Sequence, residues 1–401
     1  MNLALPRSLP ILGAILAASA TAVTAGAAPA LAQTTAIRNA TVHIEPGVVV
    51  EGATVVMRGG TIRAVGKNAA IPAGARVIDG TDKVVTAGLV ESHTMLGLVE
   101  VSLERTTREA GFPGGKGSDV IRAAYRASDG YNAASVAIPV ARQQGVTAVV
   151  ATPRGGLISG ASAWFALADK PADQVLVQSP LAIYAALGEA AQGSAEGSRG
   201  MAVLRLREAL DDARVYSRNR RTFERGQSRP FAAGRLDLEA LLPVVQGRLP
   251  LVVHAHRESD ISAALRLADE FRLRLIIAGA TEAWMLAKTL ADRGVGVILD
   301  PSANLPGRFE RIYVRDDAAK ILADAGVSVA ISSLGPQHAA STLRQLAGLA
   351  VANGMKHEQA LASITRVPAE IFGVDRGTLK PGAAADLVVW SGDPFELATR
   401  A

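Results

Sequence analysis

Hydrophobic and polar positions change period along the chain. In "AIRNATVHIE", "GATVVMRGGTIRAVG" and "ARVIDGTDKVVTAG", Val, Ile and Thr alternate with polar residues between the turn pairs Gly59-Gly60 and Asp79-Gly80. That pattern predicts hairpin strands and a small all-β module over residues 33–85. Beyond it, apolar runs alternate with segments whose apolar residues recur at three- and four-residue spacing, such as "DISAALRLADEFR" and "WMLAKTLADRG". The runs are "VVTAGLVESHT", "GVTAVVATP", "QVLVQSPLAIYA", "LPLVVHAHRESD", "LRLIIAGATEA", "VGVILDPSANLP" and "GVSVAISSLGP". Strand and helix repeated this often predict a parallel sheet, most commonly closed as a barrel.

A final β pattern, "GTLKPGAAADLVVW", suggests that the two chain ends pair. The expected architecture is therefore α/β: a (β/α)8 TIM-like barrel over residues 86–375, with a composite β-sandwich domain built from 33–85 and 376–401. Residues 193–235 break the pattern with an Arg-rich stretch, expected to be a long solvated helix and an exposed loop.

Composition refines this picture. Hydrophobic residues make up 49% of the chain and glycines number 39, which suits a large packed α/β core. Residues 1–32 carry one positive charge, Arg7, and then an uncharged run ending in Ala30-Leu31-Ala32, the pattern of an export signal. The expected location is periplasmic or extracellular, with no integral membrane span in the mature chain. The formal charge of +5 is spread thinly, with no basic cluster interleaved with aromatics, so nucleic acid is not an expected partner. With no cysteine, neither disulfides nor thiolate metal ligands are available.

Six histidines remain as candidates: His43, His93, His254, His256, His338 and His357. His43 lies in the β module and His357 at the start of a helical pattern, both structural placements. His93 ends an apolar strand, and barrel strands deliver side chains to the active face at their carboxyl ends. His254 and His256 end another, with a two-residue spacing that points both to one side. Three imidazoles are thus expected to converge in one mouth, either as metal ligands or as hydrogen-bonded residues lining a pocket. Arg154, after the second strand, is a candidate for orienting a substrate carboxylate. The segment "AGFPGGKGS" is not a P-loop, because Ala110 and Gly117 stand where Gly and Ser or Thr are needed. It is read as a Gly-rich loop over the mouth bearing Lys116 and Asp119.

Several of these stretches together resemble the amidohydrolase superfamily, most closely its exported imidazolonepropionase-like members. "KVVTAGLVESHT" looks like the family's first strand and "VVHAHR" like its fifth. "SITRVPAEIFGV" looks like a late helix, and "GTLKPGAAADLVVW" like the closing β strands. The resemblance implies hydrolysis of a carbon–nitrogen bond in an amide or short peptide-like compound by metal-activated water.

Family members carry His-x-His on strand 1, histidines on strands 5 and 6, and an Asp ending strand 8. By position, His93 and Met95 take the first pair and His254, with His256 beside it, takes strand 5. Gly279 stands at the strand 6 ligand and Leu334 at the strand 8 acid. A thioether is a soft neutral donor, and Gly and Leu offer none, so the expected cofactor is none or a weakly bound divalent metal, zinc first, on His93, His254 and His256. The expected partner is a small amide-like molecule. The alternative is an exported barrel that binds without hydrolysing, or that supports an active paralogue in an oligomer.

Overall fold

The computed structural model describes residues 33–111, 119–195 and 197–401. The expected export signal and Lys116 lie outside the described residues. Among the described residues no helix is long and apolar enough to cross a membrane.

Strands from both chain ends share one six-stranded sheet. Its order is Leu387–Trp390, Val84–Ala87, Thr34–Glu45, Val48–Arg58 and Thr61–Gly66, with Arg76–Asp79 also paired to Thr34–Glu45. Gly59-Gly60 forms the expected hairpin, both glycines taking the positive φ that such a turn requires. Asp79-Gly80 does not form one. The segments on either side of it pair parallel to the same strand, one after the other. That strand bulges at Asn39, with φ +58°, and the Gly80 N–H donates to the Arg38 carbonyl at 2.8 Å. A Cβ on Gly80 would lie 2.8 Å from that oxygen, so the glycine is what lets the chain step sideways.

The remainder is a TIM-barrel-like α/β fold with mixed sheets. Eight strand positions follow one another: Leu89–Thr94, Val146–Ala151, Ile158–Ala161 running on into Ala163–Ala166, and Leu176–Gln178 running on into Ile183–Ala186. Then come Leu251–Ala255, Leu275–Gly279, Gly296–Leu299 and Val329–Ile331. Alternate residues serve two cores, as the strand period demands. Val90, Val150, Tyr184, Val252, Ile276, Ile298 and Ala330 share one cluster with Val367 and Phe372. Val149, Ile183, Leu251, Val253, Ile277 and Val297 pack instead with the helices.

The third strand departs from the parallel expectation. It runs antiparallel to both neighbours, and Ser162, which joins its two halves, donates its N–H to the Ala182 carbonyl while its carbonyl accepts from Leu181 N–H, each at 2.9 Å. Inversion follows from the short connection before it. Residues 152–157 are too few for the helical crossover that two parallel strands need. The start of this inverted strand, and the turn carrying Arg154, therefore sit at the face where the other strands end.

Candidate functional site

A cavity of about 350 Å³ opens at that face. His93, His254 and His256 line it together with Arg154, Tyr184, Asp300, Arg308, Glu310, Arg311 and Ser333. A larger opening of about 530 Å³ lies at the opposite end, against the strand starts at Pro250, Leu275, Gly296 and Ser328, and has no histidine. Chemistry on barrel folds sits at the carboxyl ends of the strands, so the smaller cavity is the candidate site.

The three histidines do come together. The His93 and His254 ring centres are 6.5 Å apart, and those of His254 and His256 are 4.8 Å apart. Tyr184 meets the His93 ring edge-on at 5.3 Å. Burial and nearby arginines keep all three rings neutral. Desolvation, then Arg154 and His254, pull His93 well below the usual histidine range. Desolvation, then Arg154, Arg311 and Arg308, bring His254 down to about 4. Desolvation, then His254, Arg311 and Arg308, bring His256 down to about 2. Nδ1 of His93 is buried without a hydrogen-bond partner.

His256 has both ring nitrogens engaged. Nη2 of Arg311 lies 3.1 Å from Nε2, and Thr281 Oγ1 lies 2.7 Å from Nδ1. A guanidinium can only donate, so Nε2 must be the acceptor, and the ring proton is on Nδ1, donating to Thr281. Glu310 stands 4.0 Å from the same Nε2. Its other oxygen accepts the Glu189 N–H at 2.8 Å, and burial raises its pKa.

The residues at the other family ligand positions offer nothing to a metal. Gly279 has φ +87°, and a Cβ there would lie 2.8 Å from His256 Cε1, so the imidazole of His256 fills the space a strand 6 side chain would occupy. Leu334, with φ +47°, faces the cavity, and its carbonyl accepts from Nη2 of Arg154 at 2.7 Å. Met95 packs against the apolar core between barrel and helices. Two imidazoles on one tetrahedral zinc place their ring centres about 5 Å apart. The His254–His256 pair meets that spacing, but the Nε2 lone pair of His256 points at Arg311. His93 and His254 are more widely spaced. Among the described residues no group of three or more His, Cys, Asp or Glu is disposed to hold a metal ion. As they stand, these residues do not fit a three-ligand zinc centre.

Other charged side chains near the first two strands have structural work. Glu100 accepts from Asn132 Nδ2 and Ser135 Oγ, each at 2.9 Å. Glu104 caps the short helix Arg105–Thr107, and Asp119 accepts the Ile121 N–H at 2.9 Å. His357 is paired with Asp393 at 2.9 Å, and burial lowers the pKa of neighbouring His43, far from the cavity in the fold.

Sequence reasoning missed three residues. Glu91 is fully buried, accepts from the Ser332 hydroxyl and from Ser333 N–H at 3.3 Å, and thereby ties the end of the eighth strand to the first. Desolvation outweighs those hydrogen bonds and raises its pKa to about 7. The signal was an acid inside an apolar run, two residues before His93. Arg311 and Glu310 carried no comparable signal, because they fall in a polar loop.

This architecture aligns over 91% of the chain and 96% of the partner with the crystal structure of an amidohydrolase from Thermotoga maritima MSB8, at a TM-score of 0.82 and 26% identity. The amidohydrolase family pattern matches residues 275–400. The family match, the relatives and the shared fold together support the amidohydrolase superfamily. A curated relative, amidohydrolase tasK of Hapsidospora irregularis, is 24% identical over a 360-residue alignment that covers 81% of this chain. The chain spans only 36% of that relative's length. A prolidase solved with N-methylphosphonate-L-proline shares the fold at a TM-score of 0.51 and 19% identity, covering 91% of this chain and 94% of its own.

Proposed function

We propose that the mouth cavity of this amidohydrolase-superfamily chain recognises a small amide that carries a carboxylate. Superfamily membership supports the amide. Arg154, Arg308 and Arg311, which line one cavity beside three neutral histidines, support the carboxylate. Arg154 uses one N–H on Leu334, leaving the rest of its five-donor fork for a ligand. The observation that carries the reading is the bond from Arg311 to His256 Nε2, which directs a fixed cation, rather than a free lone pair, into the site. Recognition is what these residues support.

A second reading, hydrolysis of the ligand's carbon–nitrogen bond, is supported by superfamily membership and by one observation: the unpartnered, neutral Nδ1 of His93 close to neutral His254.

Calorimetry with N-acyl amino acids and with their C-terminal amides, which lack the carboxylate, tests the first reading. Binding of the acids alone, weakened about tenfold or more in Arg154→Ala, is the expected result. Equal binding of acids and amides would sink it. Product formation in the same mixtures, lost in both His93→Ala and His254→Ala, would establish the second.

A further inference from the structure

The family's strand 5 histidine and a neighbour survive in this chain, yet one of them is turned to a guanidinium. We propose that Arg311 is a built-in cation that takes the place of a metal ion on His256 and excludes a divalent cation from the cavity. The inference rests on the ligand-binding reading above, but its test needs no ligand.

His256 is arranged as a metal-ligating histidine is. One ring nitrogen donates to a fixed oxygen, Thr281 Oγ1, which sets the tautomer and aims the lone pair of the other inward. What that lone pair meets is Arg311 Nη2 at 3.1 Å. A guanidinium stays charged at any working pH, so proton loss cannot clear the position.

Arg311 is held there from both sides. Before it, Glu310 accepts the Glu189 N–H and lies against Gly188, where a Cβ would come 2.6 Å from Glu310 Oε2. Just after it, the Tyr313 carbonyl accepts from Trp284 Nε1 at 2.9 Å, and the Tyr313 N–H donates to Glu282 at 3.4 Å. Glu282 in turn accepts the Glu258 N–H at 2.9 Å, on the segment that follows His256. The loop bearing the guanidinium and the strand bearing the imidazole are thus anchored on the same carboxylate. Gly279 completes the arrangement by leaving the His256 ring its space.

The probe is Co²⁺, which reports nitrogen coordination through its visible absorption as well as by calorimetry. Wild-type protein is expected to give neither a binding heat nor a tetrahedral cobalt spectrum. Arg311→Met removes a like charge from contact distance and is expected to raise Co²⁺ affinity by on the order of tenfold or more. The gain should vanish in Arg311→Met with His256→Ala, and Arg311→Lys should exclude the ion as wild type does. Equal Co²⁺ behaviour of wild type and Arg311→Met overturns the proposal, whether both bind or neither does. Should Arg311→Met not fold, ¹⁵N resonances of the wild-type imidazoles decide. The Nδ1-protonated tautomer of His256 supports the proposal, and the Nε2-protonated form contradicts it. Failure of N-acyl amino acids to bind would leave the cobalt result intact, so the two readings fail separately.

Discussion

The imidazole of His256 lies where the side chain of residue 279 would be, 2.8 Å from the Cβ that Gly279 lacks. Absence of a strand 6 histidine and presence of His256 in the cavity are therefore one structural fact. A Cβ at 279 must displace a ring held by Thr281 and Arg311, and must do so at φ +87°.

Gly279→Ala should accordingly destabilise the protein by about 2–6 kcal/mol, the sum of left-handed strain and overpacking. It should also shift the His256 ring resonances, read by denaturant unfolding and NMR on the same sample. Gly279→His should add no metal ligand unless His256 is truncated with it. An alanine variant of wild-type stability with unmoved His256 signals would mean that the ring is not packed there.

Glu91 gives the fold a pH signature. Its pKa rises from 4.5 unfolded to about 7 folded, so the native state holds the proton more tightly. Stability from this group is whole below pH 4.5 and is lost as pH climbs through 7, by about 3 kcal/mol in all. The stability difference between wild type and Glu91→Gln should move in favour of the variant by that amount from pH 4.5 to pH 8. A difference that stays flat across this window would show Glu91 ionised in the folded chain throughout.

Gly145 and Trp390 join the terminal sheet to the second strand. Gly145 has φ +82°, and its Cβ would lie 2.2 Å from a fully buried indole that is fixed by Thr86. Gly145→Ala should cost about 2–4 kcal/mol and should leave ligand affinity unchanged in the folded fraction, because the contact is remote from the mouth. Chemical denaturation beside calorimetry separates the two effects.

How much of this was legible in the sequence depended on how local each signal is. Seven of the barrel-like strand positions announced themselves as apolar runs, and strand-end placement brought His93, His254 and His256 to one mouth. The inverted strand Ile158–Ala166 was silent. "ISGASAWFA" is rich in small residues, no helix precedes it, and Gly160 takes φ +126° to pass 2.6 Å from the Tyr125 carbonyl at its missing Cβ. Glu91 with Ser332, 241 residues apart, and His256 with Arg311, 55 apart, are tertiary pairs that no spacing rule encodes. Loop arginines ordinarily face water. Only the anchoring of Glu310 and Tyr313 turns this one inward.

The most direct test of the account is the metal content of the protein purified without chelator or histidine tag. Zinc, iron and manganese together are expected well below one per chain, with no change in Arg154→Ala. About one metal per chain, lost in both His93→Ala and His254→Ala, would contradict it and would place the family's hydrolytic centre in this cavity.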